Sequence, residues 1–563
     1  MFTRNALNLN CIFRKQLCSS FSLLPSELSP KGLMRACSWN FVSIYPIQET
    51  TMSYLKIFSQ TLLFAGLALT CSTVLTAQEP TGHDAQANDK GSTSVEVVAD
   101  RAATSEDSVT INGRIVPYRV TIGTQPVWDE DGEAVAAMFY SFYERTDIED
   151  KSTRPLVFSF NGGPGSASVW MHLAYTGPRI LKIDDEGYPV QPYGVQSNPH
   201  SILDVADIVF IDPVNTGFSR IVGDADRAQF FGVNEDIRYL ARWLGSFVTR
   251  QGRWTSPKYL IGESYGTTRV SGLAGALQSS EWMYLNGVVL VSPTGLGIKR
   301  EGPVRDALYL PYFAATAWYH KQLAPELQAK DLDDLLPEVE AFTLDELLPA
   351  LARGGSLSTE DRERLSERYA RYSGLDVAVV RRHDMAISTS FFWKELLRDE
   401  GLTVGRLDSR YRGLDRSDSG TSPDFDPALS SWNHAFSPAI NHYLREVLGY
   451  ETDLQYWLFG PVHPWNRDGD RTGQTLQRAM AQNPFLHVLV QSGYYDGGTD
   501  YFNAKYTMWG MDPAGRFGDR MSWKGYRSGH MMYLRKPDLK LANDDIREFI
   551  KRTMPAAGEA AKR

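Results

Sequence analysis

The sequence predicts an α/β fold in which helices cover both faces of a mixed, mostly parallel central sheet. Two observations support this prediction. Short, continuously apolar runs recur along the chain, and amphipathic helical stretches lie between them. Continuously apolar strands suit a sheet that is buried on both faces. Alternation of such strands with helices is typical of α/β domains.

The first elements are "PYRVTIG" and "AVAAMFYSFYE", which flank the turn "DEDGE" and predict an antiparallel opening to the sheet. A helix is predicted in "NEDIRYLARWLGSFVTRQ", because its apolar residues recur at helical spacing. The predicted buried strands are "LVFSF" (156–160), "DIVFID" (207–212), "KYLI" (258–261), "LNGVVLV" (285–291) and "FLHVLVQS" (485–492).

The alternation stops between residues 298 and 430. Stretches such as "STEDRERLSERYARYSG" are helical in pattern there and are punctuated by proline or glycine. We expect residues 298–430 to form a helical cap. This cap is inserted into an α/β domain that comprises residues 106–297 and 431–555.

The N-terminal region divides into three segments. Residues 52–77 place Lys56 before an apolar run and small residues around Ala77, the order of a secretory signal peptide. Residues 1–51 are then an upstream extension or a mis-assigned start, with an organelle transit peptide as the rival interpretation. Residues 78–105 are polar and predict a mobile lead-in. We expect export, periplasmic or secreted, with no stable membrane anchor.

Composition narrows the classes of partner and chemistry. The net charge is −9, which does not favour nucleic acid as a partner. All four cysteines precede residue 72, so the domain is expected to fold without disulfides or thiolate metal sites. There is no Gly-Lys-Ser/Thr ending, complete dinucleotide fingerprint or HExxH motif in the chain. We therefore expect neither a cofactor nor a metal.

Ser264 is the predicted nucleophile. It lies in "GESYG", between the predicted strand "KYLI" and the predicted helix "TTRVSGLAGALQSS". A tight turn between strand and helix raises a serine oxygen above the sheet, as in a nucleophile elbow. A serine in a glycine-rich structural turn is the alternative.

A serine hydroxyl needs a base and an acid that orients this base. His530 is the predicted base, because "GYRSGHMMYLRKP" places it in a turn near the C-terminus. Asp496 follows the strand "HVLVQS" and is the preferred acid, while Asp500 remains a competitor by local sequence. The order serine, aspartate, histidine is that of α/β-hydrolases.

A glycine-rich loop follows the first buried strand. In "FSFNGGPGSAS", Gly162, Gly163 and Gly165 allow backbone amides to turn toward one point, as an oxyanion hole requires. The sequence therefore predicts a complete set of groups for acyl transfer.

Five motifs in this order, "NGGPGSAS", "IDPVNTGFS", "GESYGT", "SGYYD" and "SGHMMY", resemble the serine carboxypeptidase family over residues 110–545. The absence of cysteines and of glycosylation sequons from that region suggests a bacterial-type exported member. The resemblance implies a serine carboxypeptidase with an α/β-hydrolase fold and peptide substrates.

The resemblance also implies individual roles. Ser264, Asp496 and His530 would form the catalytic triad, and the amides of Gly163 and Tyr265 would bind the oxyanion. The remaining implied site holds the terminal carboxylate of the substrate and consists of Asn161, Gly162 and Glu263.

Two positions depart from the family pattern. Where the family has a tryptophan before the asparagine, this chain has Ser159, and a second glutamate is replaced by Tyr175. The carboxylate site is therefore incomplete by this pattern. An esterase or acyltransferase is the alternative enzyme, since the same triad serves any acyl donor. A catalytically inactive binding protein is the alternative outside enzymes.

Overall fold

The computed structural model describes residues 95–555. The predicted upstream extension (1–51), the predicted signal peptide (52–77) and residues 78–94 of the predicted lead-in lie outside the described residues. So do all four cysteines. Within residues 95–555, no helix combines the length and the hydropathy that crossing a membrane requires.

Within residues 95–555, the central element is a sheet of ten strands, accompanied by two small two-stranded sheets. The strands are β1 (Arg101–Ile111), β2 (Arg114–Trp128), β3 (Ala134–Arg145), β4 (Leu156–Phe160), β5 (Arg179–Leu181), β6 (Val195–Ser197), β7 (Asp207–Ile211), β8 (Arg220–Ile221), β9 (Lys258–Glu263), β10 (Gly287–Val291), β11 (Thr403–Val404), β12 (Arg412–Gly413), β13 (His487–Gly493) and β14 (Met521–Tyr526).

The main sheet has the order β1-β2-β3-β7-β4-β9-β10-β13-β14, and β8 pairs with β3. The pairs from β1 to β7 are antiparallel, as are β3 and β8, whereas every pair from β7 to β14 is parallel. The predicted antiparallel opening and mostly parallel sheet are therefore confirmed. The parallel strands all point their carboxyl ends toward the same edge, which is where α/β folds carry their sites.

The central strands bury both of their faces. In β4, Val157 packs into one hydrophobic cluster, whereas Phe158 and its alternate neighbours pack into another on the opposite face. The same alternation holds in β9, where Ile261 faces the first cluster and Leu260 the second. Successive residues of a strand point to opposite faces, so apolar residues at every position require helices on both sides.

Helices supply these two layers. They are α1 (Val233–Arg250), α2 (Tyr265–Ser280), α3 (Pro303–Leu308), α4 (Leu310–Tyr319), α5 (Pro325–Gln328), α6 (Leu332–Phe342), α7 (Leu348–Arg353), α8 (Thr359–Ser373), α9 (Val377–Arg382), α10 (Thr389–Glu395), α11 (Pro427–His442), α12 (Thr472–Gln482), α13 (Tyr501–Met511) and α14 (Lys536–Thr553). Residues of α1, α2 and α12 pack on one face of the sheet, and residues of α11 and α14 pack on the other.

The segment from α3 to α10 is helical and has a hydrophobic cluster of its own. At its centre the rings of Phe313 and Phe392 stack with their centroids 4.0 Å apart. The predicted end of the helical insertion at residue 430 falls inside α11, which runs from Pro427 to His442.

Two strands at the margins of the sheet differ from the predictions. β1 begins at Arg101, within the stretch predicted to be a mobile lead-in, because pairing with β2 orders a polar sequence. β14 was not predicted at all. It is an edge strand that is only partly buried and contains Lys524 and Gly525, so it lacks the apolar run of a central strand.

Candidate active site

The site lies at the carboxyl ends of the parallel strands. Ser264 is the single residue between β9, which ends at Glu263, and α2, which begins at Tyr265. Its backbone has φ 57° and ψ −125°, a conformation that non-glycine residues rarely adopt. Its N–H donates to the carbonyl of Val291 at the end of the neighbouring β10, at 2.9 Å. This strained turn between strand and helix has the geometry of a nucleophile elbow.

His530 and Asp496 are brought together by the two last strands. Asp496 follows β13 and His530 follows β14, which pairs with β13 in parallel. His530 Nδ1 lies 2.8 Å from Asp496 Oδ2, and both side chains are buried. The Ser292 hydroxyl, just beyond β10, donates to the carbonyl of His530 at 2.7 Å and so joins this turn to the strand beside the elbow.

The competing acid, Asp500, has a different task. Its carboxylate accepts the N–H of Asn503 at 2.9 Å and caps the N-terminus of α13. Asp496 accepts the N–H groups of Gly498 and Thr499, at 2.8 and 3.0 Å, and the Thr499 hydroxyl at 2.8 Å. Asp496 is therefore the carboxylate that faces the histidine.

The two groups stabilise each other's charged forms. Burial raises the pKa of Asp496, but the charge and hydrogen bond of His530, together with Thr499, outweigh burial and hold that pKa below its ordinary value. Burial lowers the pKa of His530, but the Asp496 carboxylate outweighs burial and the pKa is raised. A carboxylate on Nδ1 leaves Nε2 as the nitrogen that can exchange a proton.

The glycine-rich loop packs directly against the elbow. A Cβ atom at Gly162 would lie 2.4 Å from the amide nitrogen of Tyr265, so any side chain there would collide with backbone. Gly163 has φ 105°, which favours glycine. Tyr265 is the first residue of α2, and first-turn N–H groups have no partner within their own helix. The loop and the helix start thus meet beside Ser264.

Glu263, Asn161 and Tyr533 form a buried hydrogen-bonded group next to the elbow. Asn161 Nδ2 donates to Glu263 Oε1 at 3.1 Å, and the Tyr533 hydroxyl donates to Glu263 Oε2. Burial raises the pKa of Glu263 to about 7, while His530, Tyr533 and Asn161 act in the lowering direction. Glu263 therefore changes charge near neutral pH. Tyr533 was not among the predicted residues.

Below the glycine-rich loop, a buried ion pair anchors the loop to two helices. Arg269 Nε of α2 donates to Asp236 Oδ2 of α1 at 2.7 Å, and both side chains are fully buried. Arg269 Nη1 also donates to the carbonyl of Asn161 at 2.7 Å. The backbone of Asn161 is therefore held in place by a contact separate from that of its side-chain amide.

A segment outside the sheet, residues 406–410, joins two parts of the site. One is the loop that carries Asp496, the acid loop, and the other is the turn that carries His530, the histidine turn. The carbonyl of Leu407 accepts the His530 N–H at 2.6 Å, and the carbonyl of Arg406 accepts the Gly497 N–H at 2.9 Å. The Asp408 carboxylate accepts the Gly529 N–H at 3.2 Å and pairs with Arg410 at 2.7 Å. No motif marks this segment in the sequence, so its role emerges only from the fold.

The positions that depart from the family pattern are both buried. Ser159 lies in β4, and Tyr175 stacks on Tyr533 with ring centroids 4.5 Å apart and planes inclined by 13°. The Tyr175 hydroxyl donates to Gln491 Oε1 at 2.6 Å. Tyr175 thus contacts the ring of Tyr533, whose hydroxyl holds Glu263. The hydroxyl of Tyr175 itself is bonded to Gln491.

The fold and the elbow define the chain as an α/β-hydrolase. The family model described as serine carboxypeptidase matches residues 128–294, which include the glycine-rich loop and Ser264. Residues 128–294 are therefore similar to the serine carboxypeptidase family.

Individual proteins show the same similarity. Serine carboxypeptidase-like 29 of Arabidopsis thaliana is 30% identical over 151 residues, which are 25% of this chain and 28% of that protein. Serine carboxypeptidase-like 31 of Arabidopsis thaliana is 29% identical over 193 residues, 32% of this chain and 36% of that protein. The chain thus aligns with about a third of the length of these relatives.

Among solved structures, one similar chain is Kex1(delta)p, described as a prohormone-processing carboxypeptidase from Saccharomyces cerevisiae. The alignment covers 78% of this chain and 92% of that chain, with 14% identity and a TM-score of 0.48.

Proposed function

We propose that the protein is a serine-type carboxypeptidase that releases C-terminal residues from peptides through an acyl-enzyme intermediate. One observation carries the proposal. Glu263, directly before Ser264, is buried and is held by Asn161, and its burial raises its pKa to about 7. A protonated carboxyl donates a hydrogen bond, so it binds a carboxylate that an ionised one would repel.

The proposed reaction uses the elbow and the histidine. Ser264 Oγ attacks the carbonyl carbon of the last peptide bond while His530 Nε2 takes its proton. The oxyanion accepts hydrogen bonds from the amides of Gly163 and Tyr265. The C–N bond then breaks, and the leaving amine takes the proton from His530. A water molecule, activated by the same histidine, hydrolyses the acyl-enzyme.

Asn161, Gly162 and Glu263 are proposed to hold the terminal carboxylate of the peptide. The Asn161 amide, the Gly162 backbone and protonated Glu263 are hydrogen-bonding groups on the loop and strand that flank Ser264. A carboxylate fixed there would place the last peptide bond, and no other, at the nucleophile. Specificity for chain ends would follow from this positioning.

A matched set of peptides tests the proposal. Each peptide is supplied with a free C-terminal carboxylate and as the C-terminal amide, and the products are identified by mass spectrometry. We expect loss of single C-terminal residues from the acids, and a rate at least about 100-fold lower for the amides, because the amide loses charge-assisted hydrogen bonds. Ser264→Ala should abolish both reactions.

Other results would favour the alternatives. Hydrolysis of simple esters without trimming of any peptide acid would indicate an esterase or acyltransferase. A protein that neither hydrolyses these substrates nor reacts with a fluorophosphonate at Ser264 would be an inactive binding protein.

We also propose that residues 298–430 act as a cap that shapes the site of the departing residue. Support comes from Trp393 Nε1, which donates to the Tyr312 hydroxyl at 2.8 Å beside Gly497 of the acid loop. Exchanging this segment should change which C-terminal residues are released. Unchanged preference across the peptide set would contradict the proposal.

Export, as periplasmic or secreted protein of the bacterial type, is likewise a proposal. It is supported by the order of Lys56, an apolar run and small residues around Ala77. N-terminal sequencing of the mature protein should find a start near Gln78. A mature chain that begins before Met52 would contradict it.

A further inference from the structure

We propose that Tyr533 is a positioning residue of the terminal-carboxylate site, and that its hydroxyl holds Glu263 where the family pattern has a second acid. The inference rests on the proposed function, because Glu263 is assigned to carboxylate binding there.

The turn that carries His530 also presents Tyr533. Tyr533 lies in the 3₁₀ turn Met532–Leu534, three residues after His530. His530 bonds Asp496, and Tyr533 donates its hydroxyl to Glu263 Oε2. One turn therefore carries the partner of Asp496 and the partner of Glu263, the residue directly before the proposed nucleophile.

The carboxyl group of Glu263 is fixed from two sides. Asn161 Nδ2 donates to Oε1, and Tyr533 donates to Oε2. Asn161 is itself immobilised, because its Oδ1 accepts the Met171 N–H at 3.0 Å. Two donors on separate oxygens set the plane of the carboxyl group as well as its place.

Tyr175 supplies the support that keeps Tyr533 in place. Its ring stacks on that of Tyr533, and its hydroxyl continues a buried hydrogen-bond chain away from the site. Gln491 receives this hydroxyl and donates to the Tyr526 hydroxyl at 2.8 Å, which donates to Asp545 at 2.8 Å. Tyr175, which replaces the family's second glutamate, therefore supports the ring of Tyr533. Tyr533 provides the polar group that contacts Glu263.

Three titratable groups act on Glu263, and a fourth, Tyr175, lies close to it. His530 and the Tyr533 hydroxyl favour its charged form, whereas Asp496 opposes it. Tyr175 is near enough for Glu263 to act on it, and the pKa values of both tyrosines lie well above the ordinary value because they are buried. Both phenols therefore remain neutral donors across the pH range in which Glu263 titrates.

As a consequence, Glu263 titrates as a single carboxyl group, and its neighbours set the pH at which it does so. A hydrogen bond to the ionised form lowers the pKa of a carboxyl group, so the Tyr533 hydroxyl lowers the pH at which Glu263 becomes ionised. A pair of carboxyl groups would instead share one proton in this range. Removing the hydroxyl should therefore move the loss of carboxylate binding to higher pH.

The test measures binding without turnover, in full-length protein carrying Ser264→Ala. The ligands are N-acetyl-phenylalanyl-leucine and its C-terminal amide, titrated calorimetrically from about pH 5 to about pH 9. In the Ser264→Ala parent, affinity for the acid should fall about tenfold per pH unit once Glu263 ionises. Affinity for the amide should not follow this titration.

Three further substitutions are compared in that parent. The affinity for the peptide acid begins to fall at a certain pH. We expect Tyr533→Phe to raise that pH by about one unit, because one charge-assisted hydrogen bond is lost. Tyr175→Phe keeps the stack and removes a hydroxyl that bonds Gln491, so it should leave this pH unchanged. Glu263→Gln should remove the fall altogether.

An independent variant guards against a folding defect in Tyr533→Phe. Replacing Tyr533 by 3,5-difluorotyrosine preserves its shape and makes its hydroxyl a stronger donor, so the fall should move to lower pH. The inference is overturned if neither change at position 533 moves this pH, or if Tyr175→Phe moves it equally.

This outcome is distinguishable from failure of the proposed function. If the wild-type protein trims peptide acids while the pH of the fall is independent of position 533, only the inference fails. If the parent binds the acid no better than the amide at any pH, the proposed carboxylate site fails, and the inference with it.

Discussion

The Asp496 carboxylate lies 2.8 Å from His530 Nδ1, inside a part of the fold where both side chains are buried. These residues follow two neighbouring parallel strands, so the distance depends on the pairing of β13 with β14. The geometry assigns Asp496 to the histidine and Asp500 to the start of α13.

Replacing each aspartate by asparagine should separate these two tasks. Asp496→Asn should lower kcat by about 10⁴-fold, because the imidazole loses the partner that fixes its tautomer and stabilises its charged form. Asp500→Asn should retain near-wild-type kcat and stability, because asparagine caps helices as well as aspartate does. Steady-state kinetics and thermal unfolding of both variants check this. Equal losses of kcat would contradict the assignment.

The Asp408–Arg410 pair should affect catalysis as well as stability. Asp408→Ala removes the buried partner of the Arg410 guanidinium and leaves it the half-exposed Glu186 at 3.2 Å, so the loss should cost up to about 3–5 kcal/mol of unfolding free energy. It also removes the acceptor of the Gly529 N–H. A displaced His530 should then reduce kcat by about 100-fold. Chemical denaturation and single-turnover kinetics measure the two effects.

The control for that experiment is Asp415→Ala. It breaks another buried ion pair of the helical region, between Lys394 and Asp415 at 2.5 Å. We expect a comparable loss of stability with kcat unchanged. A similar fall of kcat in both variants would mean that Asp408 acts through general stability alone.

The glycine-rich loop leaves no room for a side chain at position 162. A Cβ there would lie 2.4 Å from the Tyr265 nitrogen and 2.7 Å from the Glu263 carbonyl. Gly162→Ala should push the loop off the elbow and lower kcat/KM by about 100-fold or more, the cost of one oxyanion donor. Gly355→Ala, where a Cβ meets open space, should leave kcat/KM unchanged. Retained activity in Gly162→Ala would show that the loop does not serve the oxyanion.

The pH profile of kcat/KM for peptide acids should show a decrease at high pH that other substrates lack. Burial raises the pKa of Glu263 to about 7, so the neutral form that binds a carboxylate persists up to that pH and is lost above it. We expect kcat/KM for peptide acids to fall above about pH 7. Esters without a carboxylate should show no such fall, and Glu263→Gln should abolish it. A fall of equal size for the esters would assign this decrease to another group.

Sequence patterns located the parts of the fold that are locally encoded. The buried strands around Ser264 are continuously apolar, and the turn between strand and helix has its own glycine signature, so the sheet class could be predicted. β14 escaped prediction because an edge strand with a lysine and a glycine lacks that pattern. Because β14 was not predicted, the sequence did not show why His530 reaches Asp496.

The remaining site residues depend on contacts that no local pattern encodes. Tyr533 meets Glu263 across 270 positions of the chain, and Asp408 meets Gly529 across 121. Such pairings arise only once the sheet has assembled. The family pattern marked Tyr175 as the position where a glutamate is missing. It could not indicate that the neighbouring Tyr533 supplies a hydrogen-bond donor to Glu263.

The central claim is that Ser264 is the nucleophile, and trapping the acyl-enzyme tests it most directly. The protein is mixed with a slowly hydrolysed activated ester, quenched in acid during the first turnover, digested and examined by mass spectrometry. We predict one acyl group on the peptide that contains Ser264, and no adduct in Ser264→Ala. An unmodified Ser264, or an acyl group that persists in Ser264→Ala at another residue during turnover, would contradict it.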